Sequence, residues 1–321
     1  HTKGTAVRSP FSPTHWADFT GKASFPMKKL PCLLLLLAAL LCGCAPEPPA
    51  DLAATTLPVY TFTTRLTAGT DLQVTRLVTE NVSCLHDYTL TVDQMKAIEQ
   101  AQVVIISGAG LEDFLDEALT SAGTVIDSSA GISLLEGEHH HHHEEEPEHE
   151  EEAHHHEHDP HLWLSPACAM EQAKNICAGL SAEYPQYRDI FEDNLTILLA
   201  DLQKLEDYGN AQLASLSSRE ILTFHDGFAY LAHAFDIEIV EAIEEESGAE
   251  ASAKELIHLV EEVRHHDIRA IFVEENGSGS AASIIAAETG VSLSKLSMAM
   301  SGDDYFEAMY ANIDALKEAL K

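Results

Sequence analysis

The chain has 321 residues, 45% of them hydrophobic, and a formal net charge of −35 at pH 7. Such an excess of carboxylates repels nucleic acid and anionic lipid surfaces and favours cations, so nucleic-acid binding is excluded. The roughly 260 residues that follow the N-terminal region are enough for two modest domains with cores of their own.

The N-terminal region has the features of an export signal. Residues 1–26 lack an initial Met and any apolar periodicity, which indicates an upstream or non-native segment. Residues 27–43 combine two Lys with an apolar run of about nine residues, too short to span a bilayer of roughly 30 Å. The small residue before Cys44 resembles a bacterial lipobox, so we expect Cys44 to be lipidated. Residues 44–55 would form an Ala- and Pro-rich tether that holds the protein outside the cytoplasmic membrane.

Short β-rich runs alternate with helical patterns over residues 56–184, the expected N-terminal lobe. The runs "LPVYTFTTRL", "DLQVTRLV", "QVVIISG" and "TVIDSS" predict strands. The runs "TVDQMKAIEQA", "LEDFLDEALTSAG" and "SPACAMEQAKNICAGLSAEY" predict helices, the first of them opened by Thr91.

A long helical stripe over residues 185–217 follows, with Pro185 in its first turn. The alternation of strand and helix patterns then restarts over residues 218–321, which predicts a C-terminal lobe. The fold class we expect is therefore α/β, with two lobes that each have a mostly parallel β-sheet flanked by helices, joined by one long rigid helix. Ligands in such lobes bind beyond the carboxyl ends of the strands.

Three histidines, His86, His161 and His225, stand where strands give way to loops, and they are distributed over both lobes. Imidazole is the usual ligand of zinc and similar metals, and three nitrogens leave one position for a carboxylate or water. Asp87 and Asp226, each next to one of these histidines, are candidates to hold a second ring nitrogen.

The segments "CLHDYTLTVDQMKAIEQAQVVIISGAGLEDFL", "DPHLWLSP", "TFHDGFAYLAHAFDIEIV" and "IFVEENGSGSAASIIAAETGV" resemble the solute-binding proteins of bacterial zinc and manganese ABC importers. The resemblance covers nearly all of residues 56–321. It implies metal capture in a cleft between the lobes by His86, His161 and His225, a monomer, and delivery of the metal to a membrane permease. Zinc is expected rather than manganese or iron.

The fourth ligand is where the chain departs from this family. Ser297 in "SKLSMAM" occupies the place of the acid that several members use, and Leu85 replaces a Glu that some zinc members carry. Glu250 matches a Glu of the manganese members and is a possible fourth ligand, with water as the default. Three imidazoles suit zinc better than manganese, which prefers oxygen-rich sites.

Residues 138–159, the collector segment, are rich in His and Glu, and such a composition cannot form a packed core. An internal, Glu-interrupted tract does not resemble an expression tag, and a plain solvated loop remains the alternative. Zinc receptors of this family often carry such an insertion, so we expect a low-affinity zinc collector. Its histidines are His139, His140, His141, His142, His143, His149, His154, His155, His156 and His158.

Other functions and the thiols stay open at this point. A zinc hydrolase would need a general base, but the sequence contains no HExxH, and we expect no enzymatic activity. An adhesin role would rest on analogy alone. The three remaining cysteines, Cys84, Cys168 and Cys177, leave at least one free thiol, and a bridge between Cys84 and Cys168 is an open alternative.

Overall fold

Two four-stranded parallel sheets, one in each half of the chain, organise the molecule. The computed structural model describes residues 50–80, 82, 85, 88–135, 158–242, 252–275 and 279–321. The α/β fold with two lobes and a long helix between them, expected from the sequence, is confirmed. None of the helices in this described part of the chain is long and apolar enough to cross a membrane.

The N-terminal lobe is built on strands β1 (Leu52–Ala54), β2 (Val74–Arg76), β3 (Val103–Ile106) and β4 (Thr124–Asp127). Their spatial order is β2-β1-β3-β4, and every neighbouring pair is parallel. The helices of this lobe are α1 (Leu57–Leu66), α2 (Val92–Gln100), the single turn α3 (Asp116–Leu119) and α4 (Pro166–Glu183). Two 3-10 turns lie at Asp113–Leu115 and Leu162–Leu164.

Two predictions at the start of this lobe are wrong. The run "LPVYTFTTRL" is helix α1, although its β-branched residues favoured a strand. Its buried residues Val59, Phe62 and Leu66 recur every three or four positions, which is the helical period. Strand β1 lies inside the range assigned to the tether, and its three side chains are completely buried at the centre of the sheet.

A short segment after β3 also differs from expectation. The run "LEDFLDEALTSAG" forms only the 3-10 turn and the four-residue α3 instead of one continuous helix. By contrast, α2 begins as predicted, because Thr91 accepts a hydrogen bond from the backbone of Gln94 and the Gln94 side chain bonds back to Thr91. This reciprocal pair is a capping box.

The C-terminal lobe repeats the strand order of the first. Its strands are β5 (Glu220–Thr223), β6 (Glu238–Ala242), β7 (Ala270–Glu274) and β8 (Ser292–Leu296), in the order β6-β5-β7-β8, all parallel. Its helices are α6 (Ala229–Ala234), α7 (Ala253–His265), α8 (Ser280–Thr289) and α9 (Tyr305–Leu320). The alternation of strands and helices over this range is the one expected from the sequence.

The linker helix α5 spans Arg188–Leu213 and is preceded by a 3-10 turn at Pro185–Tyr187. It is therefore shorter than the predicted 185–217. It packs against α4 and α1 of the first lobe and against α9 of the second. One apolar cluster contains buried residues of both lobes and of the linker, among them Trp163, Leu202 and Tyr305. The two lobes thus share a core.

A buried carboxylate, Glu112, closes the loop after β3. Its side chain accepts hydrogen bonds from the Thr55 hydroxyl at 2.6 Å and from the backbone N–H groups of Ser107 at 2.7 Å and Gly108 at 2.9 Å. Burial nevertheless raises the pKa of Glu112 to about 7, while these three hydrogen bonds act in the opposite direction. The residue ties the carboxyl ends of β1 and β3 together.

Candidate metal centre

His161 is held by a carboxylate from its own loop. The ring and the backbone N–H of His161 each lie 2.8 Å from the same Asp159 oxygen, Oδ1. Both side chains are buried, with His161 only 2% exposed. When Nδ1 donates its proton to Asp159, the lone pair of Nε2 is available to a metal, and the ring has a fixed orientation.

The segment that carries His161 is anchored to the other lobe. Trp163 Nε1–H donates to the carbonyl oxygen of Met298 at 2.7 Å, and the Tyr305 hydroxyl donates to the carbonyl oxygen of Trp163 at 2.7 Å. The rings of His161 and Trp163 meet edge to face with centroids 5.4 Å apart. The position of His161 therefore depends on both lobes.

His225 follows β5 and faces His161 from the C-terminal lobe. The two imidazole rings are 5.8 Å apart between centroids, and His225 is 4% exposed. A Cβ at Gly227 would lie 2.8 Å from His225 Cδ2 and 2.9 Å from Nε2, so the "HDG" run leaves space for the ring only because its third residue is glycine.

A second carboxylate, Glu274, lies beside His225. Its Oε1 atom is 3.6 Å from His225 Nε2, and the residue is 5% exposed. The strand register explains the proximity. Thr223 of β5 pairs with Phe272 of β7, and His225 and Glu274 each follow two residues later in the chain. In the order β6-β5-β7-β8, the chain passes from β5 to β6 on one side and from β7 to β8 on the other side. The carboxyl ends of β5 and β7 therefore border the crevice in which a sheet of this kind binds its ligand.

Ser297 makes hydrogen bonds within its own turn. Its hydroxyl oxygen accepts from the N–H of Ala299 at 3.1 Å, and its backbone groups pair with the Asn312 side chain at 2.7 Å. The position that several family members fill with an acid therefore has a structural role here. This agrees with the sequence-based view that Ser297 is no ligand.

Several predicted site residues lie outside the described residues. They are His86, Glu250, Cys44 and all histidines of the collector segment except His158. His158 is exposed. Within the described ranges, no group of three or more His, Cys, Asp or Glu side chains is arranged to hold one ion. The structure thus brings together two of the three predicted histidines.

The sequence analysis assigned no role to the two carboxylates that accompany these histidines: it did not consider Asp159, and it treated Glu274 and Glu275 as strand-end residues that face the cleft without being ligands. Asp159 stands two residues before His161, a spacing at which an Asp side chain commonly accepts the backbone N–H of residue i+2. That local signal could have identified it. The position of Glu274 at a strand end was visible in the sequence, but its contact with His225 follows only from the pairing of β5 with β7. Asp87 and Asp226 had been favoured as partners of the histidines, and Asp87 lies outside the described residues.

The two thiols in the described part of the chain take no part in this centre. Cys168 and Cys177 on α4 are both free, so the alternative of a bridge from Cys84 to Cys168 is not realised. Burial raises the pKa of both thiols, which lowers their tendency to form the thiolate that binds metal. The donors in the described part of the centre are therefore imidazole nitrogens and carboxylate oxygens, a set that suits zinc.

Comparison with known proteins shows the family of this chain. Residues 52–319 match the family described as zinc-uptake complex component A, periplasmic. The zinc-binding lipoprotein AdcA of Streptococcus pneumoniae is 31% identical over 315 residues, which cover 91% of this chain and 61% of AdcA. The chain thus spans less than two thirds of that relative. The high-affinity zinc uptake system protein ZnuA of Bacillus subtilis is 30% identical over 82% of this chain and 85% of its own length.

A solved structure shows the same architecture. The crystal structure of the Zn(II)-bound ZnuA-like domain of Streptococcus pneumoniae AdcA superposes with a TM-score of 0.70 at 27% identity, over 84% of this chain and 98% of that domain. The family description is that of a component of an uptake complex, which is a binding role and not an enzymatic one. Since the family match extends over both lobes and the linker helix, this chain belongs to the periplasmic zinc-uptake component A family.

Proposed function

We propose that this chain is an extracytoplasmic receptor that captures Zn²⁺ between its lobes with His86, His161 and His225 and delivers it to an ABC permease. The observation that carries the proposal is the meeting of His161 and His225. They come from different lobes, their rings are 5.8 Å apart, and both are almost completely buried. Buried imidazoles supported by carboxylates are typical of metal sites.

Zinc is favoured over manganese by the donors and by the relatives. The two imidazoles in the described part of the centre suit a tetrahedral ion better than a metal that prefers six oxygens. The relatives AdcA and ZnuA are both described as zinc proteins. Manganese is the competing cargo, and the test below includes it.

Attachment to the membrane is a further part of the proposal. Cys44 follows a signal-like segment and would carry the lipid, and AdcA is described as a lipoprotein. Substitution of Cys44 by Ser should release the protein from the membrane fraction and stop incorporation of labelled palmitate. Labelling that persists in this variant would contradict Cys44 as the lipidated residue.

The collector segment would concentrate zinc near the cleft. The hydrogen bonds of two residues, Leu135 before the segment and Asp159 at its end, support this role. Asp159 N–H donates to the Leu135 carbonyl at 3.2 Å, and Leu135 N–H donates to the Tyr230 hydroxyl at 2.9 Å. Leu135 and Asp159 therefore lie together, and Asp159 holds the His161 ring. A deletion that tests this role should cover residues 138–157 and spare Asp159, because Asp159 holds the His161 ring.

The function is tested by competition titration of the purified chain with Zn²⁺ and Mn²⁺ against chromophoric chelators. The variants are His161→Ala, His225→Ala, the triple variant that also carries His86→Ala, and the 138–157 deletion. We expect one tight zinc site that survives the deletion, disappears in the triple variant and excludes manganese. Tight binding that is lost with the collector segment, or a preference for manganese, would refute the assignment.

A further inference from the structure

The buried carboxylate at the end of β7 has no assigned role in metal capture. We infer that Glu274 is the carboxylate ligand of the captured metal, in place of the acid that is missing at Ser297. The inference rests on the proposed function, because it assumes an ion between His161 and His225. It adds an oxygen donor from the strand next to the one that carries His225.

The distance between the donor atoms supports a shared ion. Zinc lies about 2.0–2.1 Å from imidazole nitrogen and about 2.0–2.2 Å from carboxylate oxygen, so two donors of one tetrahedral ion are about 3.3 to 3.5 Å apart. His225 Nε2 and Glu274 Oε1 are 3.6 Å apart. A zinc ion could thus be bound by both atoms after only a small movement.

Burial and charge favour the same assignment. Carboxylates are seldom buried unless they are paired with a charge or coordinate a metal. Glu274 is 5% exposed, and Asp159 behind His161 is 8% exposed. With neutral imidazoles, a divalent cation at this place would be balanced by the two negative charges of Glu274 and Asp159.

The neighbouring acid, Glu275, provides a matched control. It has the same side chain one residue later along the chain, but it is exposed and lines a surface cavity with Arg76 and Ser297. Its backbone N–H donates to the Leu296 carbonyl at 3.0 Å, a bond that a change of side chain leaves in place. Glu275→Gln therefore controls for the loss of one exposed negative charge at this end of the sheet, and a change in the ligands of the bound metal separates coordination by Glu274 from the effect of its buried charge.

The test compares Glu274→Gln, Glu275→Gln and Glu250→Gln with the unchanged chain in zinc competition titrations. Gln keeps the shape of Glu, and the melting temperature of each metal-free variant confirms that it is folded. Changes in the residues behind the ligands of a metal cost roughly 10- to 100-fold in affinity. We expect Glu274→Gln to weaken zinc binding by more than this and the other two substitutions by less than about threefold.

A second readout separates a ligand from a residue that only orients His225. Co²⁺ bound in place of zinc has visible absorption bands that depend on the number and kind of its ligands. We expect Glu274→Gln to change the energy and intensity of these bands, whereas Glu275→Gln should leave the spectrum unchanged. Weaker zinc binding with an unaltered cobalt spectrum would overturn coordination by Glu274.

The remaining outcomes distinguish the two proposals. If His225→Ala abolishes the tight site and Glu274→Gln behaves like Glu275→Gln, the receptor function stands and the Glu274 assignment fails. If Glu250→Gln alone gives the large loss and the spectral change, Glu250 is the ligand. If His161→Ala and His225→Ala both keep the tight site, the proposed function itself fails.

Discussion

At the scale of single residues, metal binding at the candidate centre depends on which ring nitrogen of each imidazole is hydrogen-bonded to the protein, because the other nitrogen is then available to the metal. Asp159 Oδ1 accepts from both the ring and the backbone N–H of His161, so one oxygen fixes the tautomer and the loop together. Trp163 adds an edge-to-face contact from the same segment. The imidazole is thus oriented before any metal arrives, which reduces the entropy lost on binding.

Removal of this hydrogen bond should weaken metal capture without destroying it. Asp159→Ala leaves His161 free to rotate, and we expect zinc affinity to fall about 10- to 100-fold, the range typical of such supporting carboxylates. Competition titration measures the effect. Asp189→Ala, which changes an exposed carboxylate near the start of α5, is the control and should have no effect. Equal affinities for the two variants would contradict a supporting role for Asp159.

A second residue-scale prediction concerns Glu112, whose pKa is raised to about 7 from the ordinary value of 4.5. Between these pH values the folded protein holds a proton that the unfolded chain has lost. The contribution of Glu112 to the free energy of unfolding is therefore largest below pH 4.5 and is lost as the pH rises to about 7. At 1.36 kcal/mol per pH unit, the loss is about 3 kcal/mol.

Glu112→Gln removes this titration and so isolates its contribution. Urea unfolding of both proteins at several pH values, in the presence of a chelator, gives the two free energies of unfolding. We expect the difference between the unchanged chain and Glu112→Gln to shrink by about 3 kcal/mol from pH 4.5 to pH 7.5. Parallel curves would show that folding does not raise the pKa of Glu112.

At the scale of elements, the sequence predicted most strands because their apolar runs are short and end in turn residues. It mistook α1 for a strand because Thr, Val, Tyr and Phe favour sheets, whereas the packing of Phe62 and Leu66 against the shared core decides the outcome. It missed β1 because "LAA" is short and follows a Pro-rich stretch. The same limits apply to the site, where His161 was found by motif but the contact of Glu274 with His225 required the register of two strands.

Helix α2 offers a test of a local signal that was interpreted correctly. Thr91→Ala removes the hydroxyl that accepts from Gln94, and we expect a loss of about 1 kcal/mol in the free energy of unfolding. Thr196→Ala in the linker helix is the matched control, because Ala is the better helix former in a helix interior. Denaturant unfolding compares the two. A loss at Thr196 as large as that at Thr91 would contradict the capping role.

At the scale of the whole molecule, a ligand bound by both lobes should raise the stability of the whole fold. Free zinc at 100 times its dissociation constant adds about 2.7 kcal/mol, which for a chain of this size corresponds to a rise of about 5 °C in melting temperature. Scanning calorimetry of the chain with and without zinc measures the shift. In the variant that combines His161→Ala and His225→Ala we expect no shift, and a shift that persists would place the bound zinc elsewhere.

The shared core has a consequence for the modularity of the molecule. The two lobes have the same strand order and look like two interchangeable modules on either side of α5. Yet Trp163 and Tyr305 belong to different lobes and are packed in one cluster, where a hydrogen bond also joins them. Either half produced alone would expose that apolar surface and would carry only part of the donor set. Fragments divided at α5 should therefore be insoluble separately and recover zinc binding only when they are produced together.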